Sequence, residues 1–410
     1  MTCTSCASDG GLSYTSFGYT PQTDAFGRLR VSQPYTLFDS QQRYALDDSF
    51  VSNVANGGSV SYVSTQSSAL LTVTSSAGSY AARETTAVFT YQPGKSLLAL
   101  MTFCMSPIGG LVQRVGYYGV SNGYYLEVSD QVYIVERSNV TGVVTETRVS
   151  QNNWNINTFT GVYPSTTTVD FTKTHIFWLD MEWLGVGNVR TGFVLNGQFQ
   201  VAHIFQHANY NTTAYITTAT LPVRYEIQST GSSGTLTQIC STVMSEGGYD
   251  PQYSLYSNLV VFSRTMSAST WTPVMSIRLD PTKLDAVVQI RQVDTLILTQ
   301  NQVIQWALWG STTLTGASWV AHSSSILVQI DQSATSMSTT GAYQVASGLL
   351  NGSNQTPSIY GIDLSRYSSQ LTRNSFTQTP YVFTLAFYST SVIGGSGLSA
   401  QALLSWNELL

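Results

Sequence analysis

The sequence predicts an all-β protein, in which a large antiparallel β-sandwich follows an extended arm and precedes a smaller C-terminal β-sandwich. Three observations support this prediction. Charged residues make up only 10% of the 410 residues, while Ser, Thr, Tyr and Gly are abundant, which favours strands over surface helices. Short alternating or continuous apolar runs recur along the chain. Turn signals that contain Gly, Asn or Pro separate these runs.

Residues 1–34 are predicted to form the extended arm. The segment is rich in Gly, Ser, Thr and Tyr and lacks a usable hydrophobic period, so we expect it to become ordered on a partner or a neighbouring subunit. Arginines in so uncharged a chain are suited to pair with carboxylates or carbonyls at an interface. The residues assigned to anchoring are Asp24, Phe26, Arg28 and Arg30. A solvated linker is the alternative interpretation.

Residues 35–270 are assigned to the large sandwich, which is organised around residues 175–205. In that stretch Asn196-Gly197 is the strongest hairpin signal, because both central residues of a type I′ turn need positive φ. Aromatic and β-branched residues fill both faces, so we expect this hairpin in the middle of the sandwich and not at an edge. The other predicted strands include 60–73, 87–91, 97–105, 124–128, 131–137, 212–220, 221–227, 235–244 and 256–264.

Residues 271–410 are assigned to the C-terminal sandwich. Its composition differs slightly from that of the preceding region, beginning near residues 273–281. The segment 333–354 is rich in Ser, Gly and Thr and is predicted to be a long loop. The predicted strands are 286–292, 295–298, 306–309, 326–330, 381–388 and 398–406.

Charge and hydropathy exclude several classes of function. A net charge of −5 argues against a nucleic-acid binder. No apolar run of 18 residues and no signal-peptide pattern occurs, so we expect neither membrane insertion nor export. Cys3-x-x-Cys6 stands alone, and His203 and His207 lack the Glu of a zinc-binding helix. We therefore predict no metal site and no cofactor.

Several stretches resemble a family of tailed-phage virion structural proteins from marine and freshwater phages, including cyanophages. The stretches are Asp24-Ala-Phe-Gly-Arg-Leu-Arg-Val-Ser, Phe38-Asp39-Ser40, Arg114-Val-Gly-Tyr117, Asn122-Gly123, Glu182-Trp-Leu-Gly-Val-Gly187, Leu221-Pro-Val-Arg-Tyr-Glu-Ile227 and Ser245-Glu-Gly-Gly248. The resemblance covers about residues 24–265. Residues 35–270 are also similar in pattern to lectin-like jelly rolls, an analogy at the level of fold.

The resemblance implies a virion component that is assembled in the host cytoplasm and anchored by its arm. We expect a non-enzymatic protein associated with the tail fibre or baseplate, with a capsid-decorating cement protein as the alternative. Its expected partners are copies of itself, as a homotrimer, and other virion proteins. The remaining alternatives are a carbohydrate-binding adhesion protein that recognises host-surface glycan and a glycan hydrolase.

The hydrolase alternative depends on Asp180 and Glu182, which lie two apart on a predicted strand and project to one face. Paired carboxylates could serve as acid and base, or could ligate calcium. Lectin-like glycosidases show the longer signature E-x-D-x-(x)-E, and its first Glu is absent here. The structural alternative is an ion pair of these acids with Arg190 or Arg224. Overall we predict no catalytic residues.

The adhesion alternative depends on aromatic residues in the C-terminal region. If exposed, such rings could stack on sugars while neighbouring polar groups orient them. The predicted glycan-binding residues are Trp306, Trp309 and Trp319, together with Tyr360 and Tyr367. The alternative is that these residues are part of the hydrophobic core.

Overall fold

The structure is a computed structural model that describes residues 33–105, 107–162, 167–250, 252–352, 362–363 and 369–409. The predicted anchoring residues Asp24, Phe26, Arg28 and Arg30 lie outside these residues, as do Cys3, Cys6, Tyr360 and Tyr367. The described residues contain strands, the 3₁₀ turn Gln151–Asn153 and no α-helix. None of their elements is a helix long and apolar enough to cross a membrane.

Two large antiparallel sheets form the first half of the chain. Their strands are β1 (Pro34–Gln41), β2 (Phe50–Ala55), β3 (Ser59–Val63), β4 (Ser68–Val73), β5 (Tyr80–Thr85), β6 (Ser96–Cys104), β7 (Leu111–Tyr118), β8 (Gly123–Val128), β9 (Val132–Ser138), β10 (Thr145–Ser150), β11 (Thr174–Met181), β12 (Val189–Leu195), β13 (Gln198–Phe205), β14 (Val223–Ser229) and β15 (Gly234–Glu246). The eight-stranded sheet has the order β13-β12-β11-β6-β15-β4-β3, with β1 also paired to β15. The seven-stranded sheet has the order β10-β9-β8-β7-β14-β5-β2.

The two sheets pack face to face around one hydrophobic core. Strand β11 illustrates the alternation that builds it, because Phe177, Leu179 and Met181 point into the core while Trp178 and Asp180 lie on the outer face. Side chains from both sheets join the same cluster. This arrangement confirms the predicted all-β fold class, a large antiparallel sandwich of the jelly-roll type.

The second half of the chain adds further antiparallel sheets. Its strands are β16 (Tyr253–Met266), β17 (Trp271–Leu279), β18 (Val287–Ile297), β19 (Val303–Gly310), β20 (Thr313–Thr315), β21 (Val320–Ala321), β22 (Val328–Asp331), β23 (Ser336–Ser338), β24 (Tyr343–Asn351), β25 (Ile362–Asp363), β26 (Arg373–Asn374), β27 (Thr379–Pro380), β28 (Phe383–Tyr388) and β29 (Ile393–Leu409). A four-stranded sheet, β16-β29-β18-β25, and a six-stranded sheet, β21-β22-β17-β28-β19-β24, enclose a second core cluster.

The hairpin predicted at Asn196-Gly197 is confirmed, with φ of 54° and 73° at these residues. Its predicted central position is wrong, because β13 is the outermost strand of its sheet. Phe199 on β13 packs on Trp178 of β11 on the outer face of the sheet, at 5.5 Å between ring centroids. The aromatic residues on this outer face therefore contact each other within one sheet, and no second sheet is needed to cover them.

Three further expectations need correction. Residues 212–220 form no strand but a loop, whereas 333–354 contains β23 and β24 in its described part. Strand β16 falls within the segment assigned to the first sandwich, yet it pairs with β29, and its Val260 and Phe262 lie in the second core cluster. Sequence proximity was a poor guide here because β29 comes from the far end of the chain.

Candidate functional site

An open pocket of about 460 Å³ lies at one end of the eight-stranded sheet, on its outer face. We call it the acidic pocket, because three carboxylates and two cationic side chains line it in a chain with few charges. Its lining residues are Gly94, Lys95, Ser96, Asp180, Glu182, Asn188, Arg190 and Glu246. Apart from Gly94, all of these residues have polar or charged side chains.

Strand register brings these side chains together. Asp180 on β11 lies opposite Arg190 on β12, and their side chains form an ion pair. Glu246 at the end of β15 lies opposite Ser96 at the start of β6, and β6 in turn pairs with β11. Four neighbouring strands thus end at one acidic site, although their residues are distant in sequence.

The turn between β11 and β12 forms one rim of the pocket. It closes through main-chain bonds from Glu182 N to Asn188 O, at 3.1 Å, and from Gly187 N to Trp183 O, at 2.7 Å. His207 supports it from below, since its Nδ1 lies 2.7 Å from Gly187 O. These bonds hold the main chain of Asn188 at the rim of the pocket.

The three carboxylates have different environments. Burial, together with the nearby charge of Asp180, raises the pKa of Glu246. Asp180 is 7% exposed and is paired with Arg190. Glu182 is exposed, and no ion pair to it is found among the described residues. The pocket thus combines a carboxyl with a raised pKa, a carboxylate paired with a guanidinium and an exposed carboxylate without an ion pair.

An aromatic pair extends the outer face beyond the pocket. Trp178 precedes Asp180 by two residues on β11 and therefore lies on the same face. Its indole packs edge to face with Phe199, whose side chain is 54% exposed. An apolar ring beside hydrogen-bonding groups is a surface that a sugar ring can use, because one sugar face is apolar and its edge carries hydroxyls.

A second charged cluster covers the outer face of the seven-stranded sheet. We call it the paired network, because each carboxylate in it bonds to at least one guanidinium. The ion pairs are Arg114–Glu127, Arg114–Glu226, Arg148–Glu127, Arg148–Glu146, Arg137–Glu146, Arg224–Glu84, Arg224–Glu226 and Arg373–Glu84. Guanidinium groups also lie over the buried rings of Tyr118 and Tyr125.

Ion pairing keeps the acids of the paired network ionised. Burial opposes ionisation of Glu226, but Arg224 and Arg114 outweigh it and lower its pKa. Burial opposes ionisation of Glu146 as well, yet hydrogen bonds from Tyr125, Arg137 and Arg148 lower its pKa to about 2. Neither group is suited to act as a general acid.

The predicted pair of acids is thus brought to one site. Asp180 bonds to Arg190, as the structural alternative proposed, whereas Arg224 lies on the other sheet and bonds to Glu84 and Glu226. Both acids of the hydrolase alternative also line the acidic pocket. The described residues hold no cluster of three or more His, Cys, Asp or Glu suited to a metal ion.

The predicted glycan-binding tryptophans are not brought together as an open platform. Trp306 is completely buried in the second core, as the core alternative proposed, so its ring is not available to a sugar. Trp309 is half-buried and packs on Trp271 at 5.4 Å. Trp319 is half-buried under the guanidinium of Arg278, 4.1 Å from the ring centroid. Sugar binding by Trp309 and Trp319 stays a prediction.

The two histidines have structural partners. His203 Nδ1 accepts a bond from Asn155 N at 3.2 Å, and burial lowers the pKa of His203 to about 4. His207 Nε2 lies 2.7 Å from Glu136 Oε2, and its ring stacks on Tyr215 at 3.8 Å. Both rings therefore hold loops against the sandwich.

Sequence reasoning missed Glu246 as a site residue, although the resemblance included Ser245-Glu-Gly-Gly248. It also missed the paired network. The available signal was the alternation Arg224-x-Glu226 and Glu146-x-Arg148, which places opposite charges on one face of a strand. In a chain with so few charges, such pairs indicate an ionic sheet face.

The structure is similar to several solved β-sandwich proteins. A β-glucanase of Bacillus licheniformis is 12% identical, with a TM-score of 0.32, and the match covers 53% of this chain and 99% of that one. The lectin-like arcelin-5 of Phaseolus vulgaris is 9% identical, with a TM-score of 0.33, covering 53% and 100%. A Crh5 transglycosylase is 16% identical, with a TM-score of 0.33, covering 55% and 92%. No protein-family model and no curated protein matches the sequence.

These proteins are β-sandwiches of the lectin-like jelly-roll kind, the fold class that was predicted here and that the two large antiparallel sheets of this chain form. They also correct the prediction of a protein without enzymatic activity, because the similar structures include glucanases and a transglycosylase. At this level of identity they describe the fold alone and assign no substrate to this chain.

Proposed function

We propose that this protein binds glycans, and that the acidic pocket is the binding site. The observation that carries the proposal is the convergence of Asp180, Glu182 and Glu246 with Arg190 and Asn188 in one open pocket. Carboxylates accept hydrogen bonds from sugar hydroxyls, and the guanidinium and amide donate to hydroxyl or ring oxygens. The pocket therefore offers both the hydrogen-bond acceptors and the hydrogen-bond donors that a sugar requires.

The pocket also has a suitable size and neighbourhood. Its volume of about 460 Å³ lies within the range of small-molecule sites. Its open mouth would let a longer chain pass through, and Phe199 offers an exposed ring on the same outer face. A glycan lying along this face would contact both the carboxylates and the ring.

The experiment measures the affinity of the unmodified full-length protein and of its Glu182→Gln variant for lipopolysaccharide, peptidoglycan fragments and β-glucan. Glu182 is exposed and lies outside the core, so its replacement leaves the fold intact. Loss of one charged hydrogen bond should weaken binding by about tenfold or more. The matched control is Asp130→Asn, an exposed acid in the turn between β8 and β9. Equal affinity of both variants for every glycan that binds would refute the proposal.

Hydrolysis of the bound glycan is a second candidate, favoured by the raised pKa of Glu246 in the pocket that Asp180 and Glu182 also line. Protonated Glu246 would donate its proton to the glycosidic oxygen as the C–O bond breaks. Asp180 or Glu182 would accept a proton from water, or form the covalent intermediate that water then cleaves. Glu246→Gln should lower the release of reducing ends by about 10²- to 10⁴-fold. If a glycan that binds yields no reducing ends, hydrolysis is refuted while binding stands.

Location on a phage particle is a separate proposal, supported by the resemblance of the stretches within residues 24–265. As a tail-fibre or baseplate-associated protein, the chain would present its pocket to host-surface glycan. A capsid-decorating role is the alternative location. Immunogold labelling of particles with an antibody to this chain tests the two, and absence of label would reject both.

Self-association is supported by an apolar row on β16. Tyr253, Leu255, Leu259 and Val261 point outward and are 53–67% exposed. Strand β16 is also the outermost strand of its sheet among the described residues, and residues 253–263 carry no charge and no proline. Proteins usually protect such edges with charges or proline, so a second copy is the partner we propose. A monomer by light scattering at all concentrations would contradict this.

A further inference from the structure

A second cavity, of about 320 Å³, lies where the two halves of the chain meet. We call it the seam cavity. The first half lines it with residues from the 119–122 turn, Asn139 and the 217–222 segment, and the second half with residues from 281–285 and 373–378. No residue lines both the seam cavity and the acidic pocket, so the two are separate sites.

The strongest charges at the wall of the seam cavity are already engaged. Arg373 is 6% exposed, and its Nη2 lies 3.0 Å from Glu84 Oε1. Its Nη1 donates to the carbonyl oxygens of Thr85 and Thr86, each at 2.9 Å. A ligand would therefore meet an ion pair whose charges are already matched, with the exposed carboxylate of Asp285 as a further acceptor.

Two buried polar atoms at this wall have no hydrogen-bond partner among the described residues. They are Asn139 Oδ1 and Ser375 Oγ, and Ser375 is 4% exposed. The neighbouring Asn122 differs, because its amide nitrogen donates to Thr217 Oγ1 at 2.7 Å and its oxygen accepts from Asn139 N at 3.2 Å. An unsatisfied buried polar atom is costly. The cavity wall therefore has hydrogen-bonding capacity that a ligand with hydroxyl groups would use.

The size of the cavity decides between a bridging water and a larger ligand. At about 320 Å³ the cavity is far larger than the space that one bridging water needs. It also lies at the lower end of the range for small-molecule sites. The wall combines threonine and asparagine side chains with the apolar surfaces of Val120, Leu221 and Pro222, which suits a ligand with both hydroxyls and an apolar ring face.

We propose that the seam cavity binds a neutral sugar, either free or as the terminal unit of a glycan. One sugar hydroxyl donates to Asn139 Oδ1, and another bonds to Ser375 Oγ. This site is distinct from the acidic pocket and does not depend on glycan binding there. Because the ligand contacts both halves of the chain, occupancy also holds the halves together and raises the thermal stability of the protein.

The experiment titrates the full chain with D-glucose, D-galactose, D-mannose, N-acetyl-D-glucosamine and L-rhamnose, and follows binding by saturation-transfer NMR and calorimetry. The blocking variant is Val120→Trp, because Val120 is 52% exposed at the rim and its replacement leaves the core unchanged. Its matched control is Val143→Trp, at a position that is 68% exposed in the turn between β9 and β10. Ser375→Ala removes one of the unpartnered atoms, and Glu182→Gln reports on the acidic pocket.

We expect at least one sugar to bind, with affinity at least tenfold weaker in Val120→Trp and several-fold weaker in Ser375→Ala. Val143→Trp and Glu182→Gln should bind as the unmodified chain does. If none of the five sugars binds, the cavity holds water only and the proposal is overturned. It is also overturned if Val120→Trp binds normally, or if Glu182→Gln alone loses binding, in which case the sugar occupies the acidic pocket.

Discussion

The outer faces of the two large sheets carry the same residue types in different arrangements. On the seven-stranded sheet, Glu127 and Glu226 share Arg114, at 2.7 Å and 2.5 Å, so each acid has a guanidinium partner. At the end of the eight-stranded sheet, the acidic pocket has more acids than bases, and burial raises the pKa of Glu246. Acids that are fully paired with cations stabilise the fold, whereas acids in excess of cations beside an open pocket are able to bind a ligand.

The surroundings of the two clusters explain this difference. The paired network is partly covered by the second half of the chain, since Arg373 reaches Glu84 and the ring of Phe376 lies 4.9 Å from the guanidinium carbon of Arg224. An unpaired charge under such a cover would be costly, so each acid needs its partner. The acidic pocket is open to solvent at Glu182 and Arg190, and water can stabilise the acids there.

The largest expected effect comes from removing one cation on each sheet. Arg224→Ala leaves Glu84 and Glu226 buried, with part of their pairing lost, and should lower the free energy of unfolding by about 3–5 kcal/mol. Arg190→Ala removes a side chain that is 56% exposed but leaves Asp180, which is 7% exposed, without its partner, and should cost about 1–3 kcal/mol. Urea unfolding followed by circular dichroism measures both. Equal losses would show that the two clusters do not differ as we infer.

The acidic pocket could be predicted in part from the sequence. The alternation along β11 placed Asp180 and Glu182 on one face, because side chains alternate with a period of two in any strand. Glu246 could not be added in this way. Its proximity depends on β15 pairing with β6 and on β6 pairing with β11, and such register is set by the packing of the whole sheet.

The same distinction holds for the fold. The turn at Asn196-Gly197 was predictable because it depends on the φ angles of two adjacent residues. The place of β16 was not, because it is determined by pairing with β29. The burial of Trp306 was left open for a related reason, since nothing in its local sequence distinguishes a core ring from an exposed one.

A medium effect is expected when the paired network is titrated. The pKa of Glu146 is about 2 in the folded chain, below its ordinary value of 4.5. Its stabilising contribution is therefore fully present above about pH 4.5 and is lost as the pH falls toward about 2. Because Glu146 is exposed, solvent screens its interactions, and the loss should be about 1 kcal/mol. Melting temperatures between pH 2 and pH 7 test this, and Glu146→Gln should flatten the acid side of the profile. An unchanged profile in Glu146→Gln would contradict the assignment.

The smallest effect is expected at Glu246, with the opposite sign. Its pKa is raised in the folded chain, so its contribution to stability is favourable below about pH 4.5 and is lost as the pH rises through the raised value. Glu246→Gln removes a carboxylate that is unfavourably placed at neutral pH, and should stabilise the chain at pH 7 by a few tenths of a kcal/mol. Melting temperatures of this variant at pH 4 and pH 7 measure the effect. The gain should vanish at pH 4, because Glu246 is then protonated in the folded chain. If Glu246→Gln is less stable than the unmodified chain at pH 7, partners stabilise the Glu246 carboxylate as they stabilise that of Glu146. The acids on the two sheet faces would then both be stabilised by pairing, and the inferred difference between the faces would be wrong.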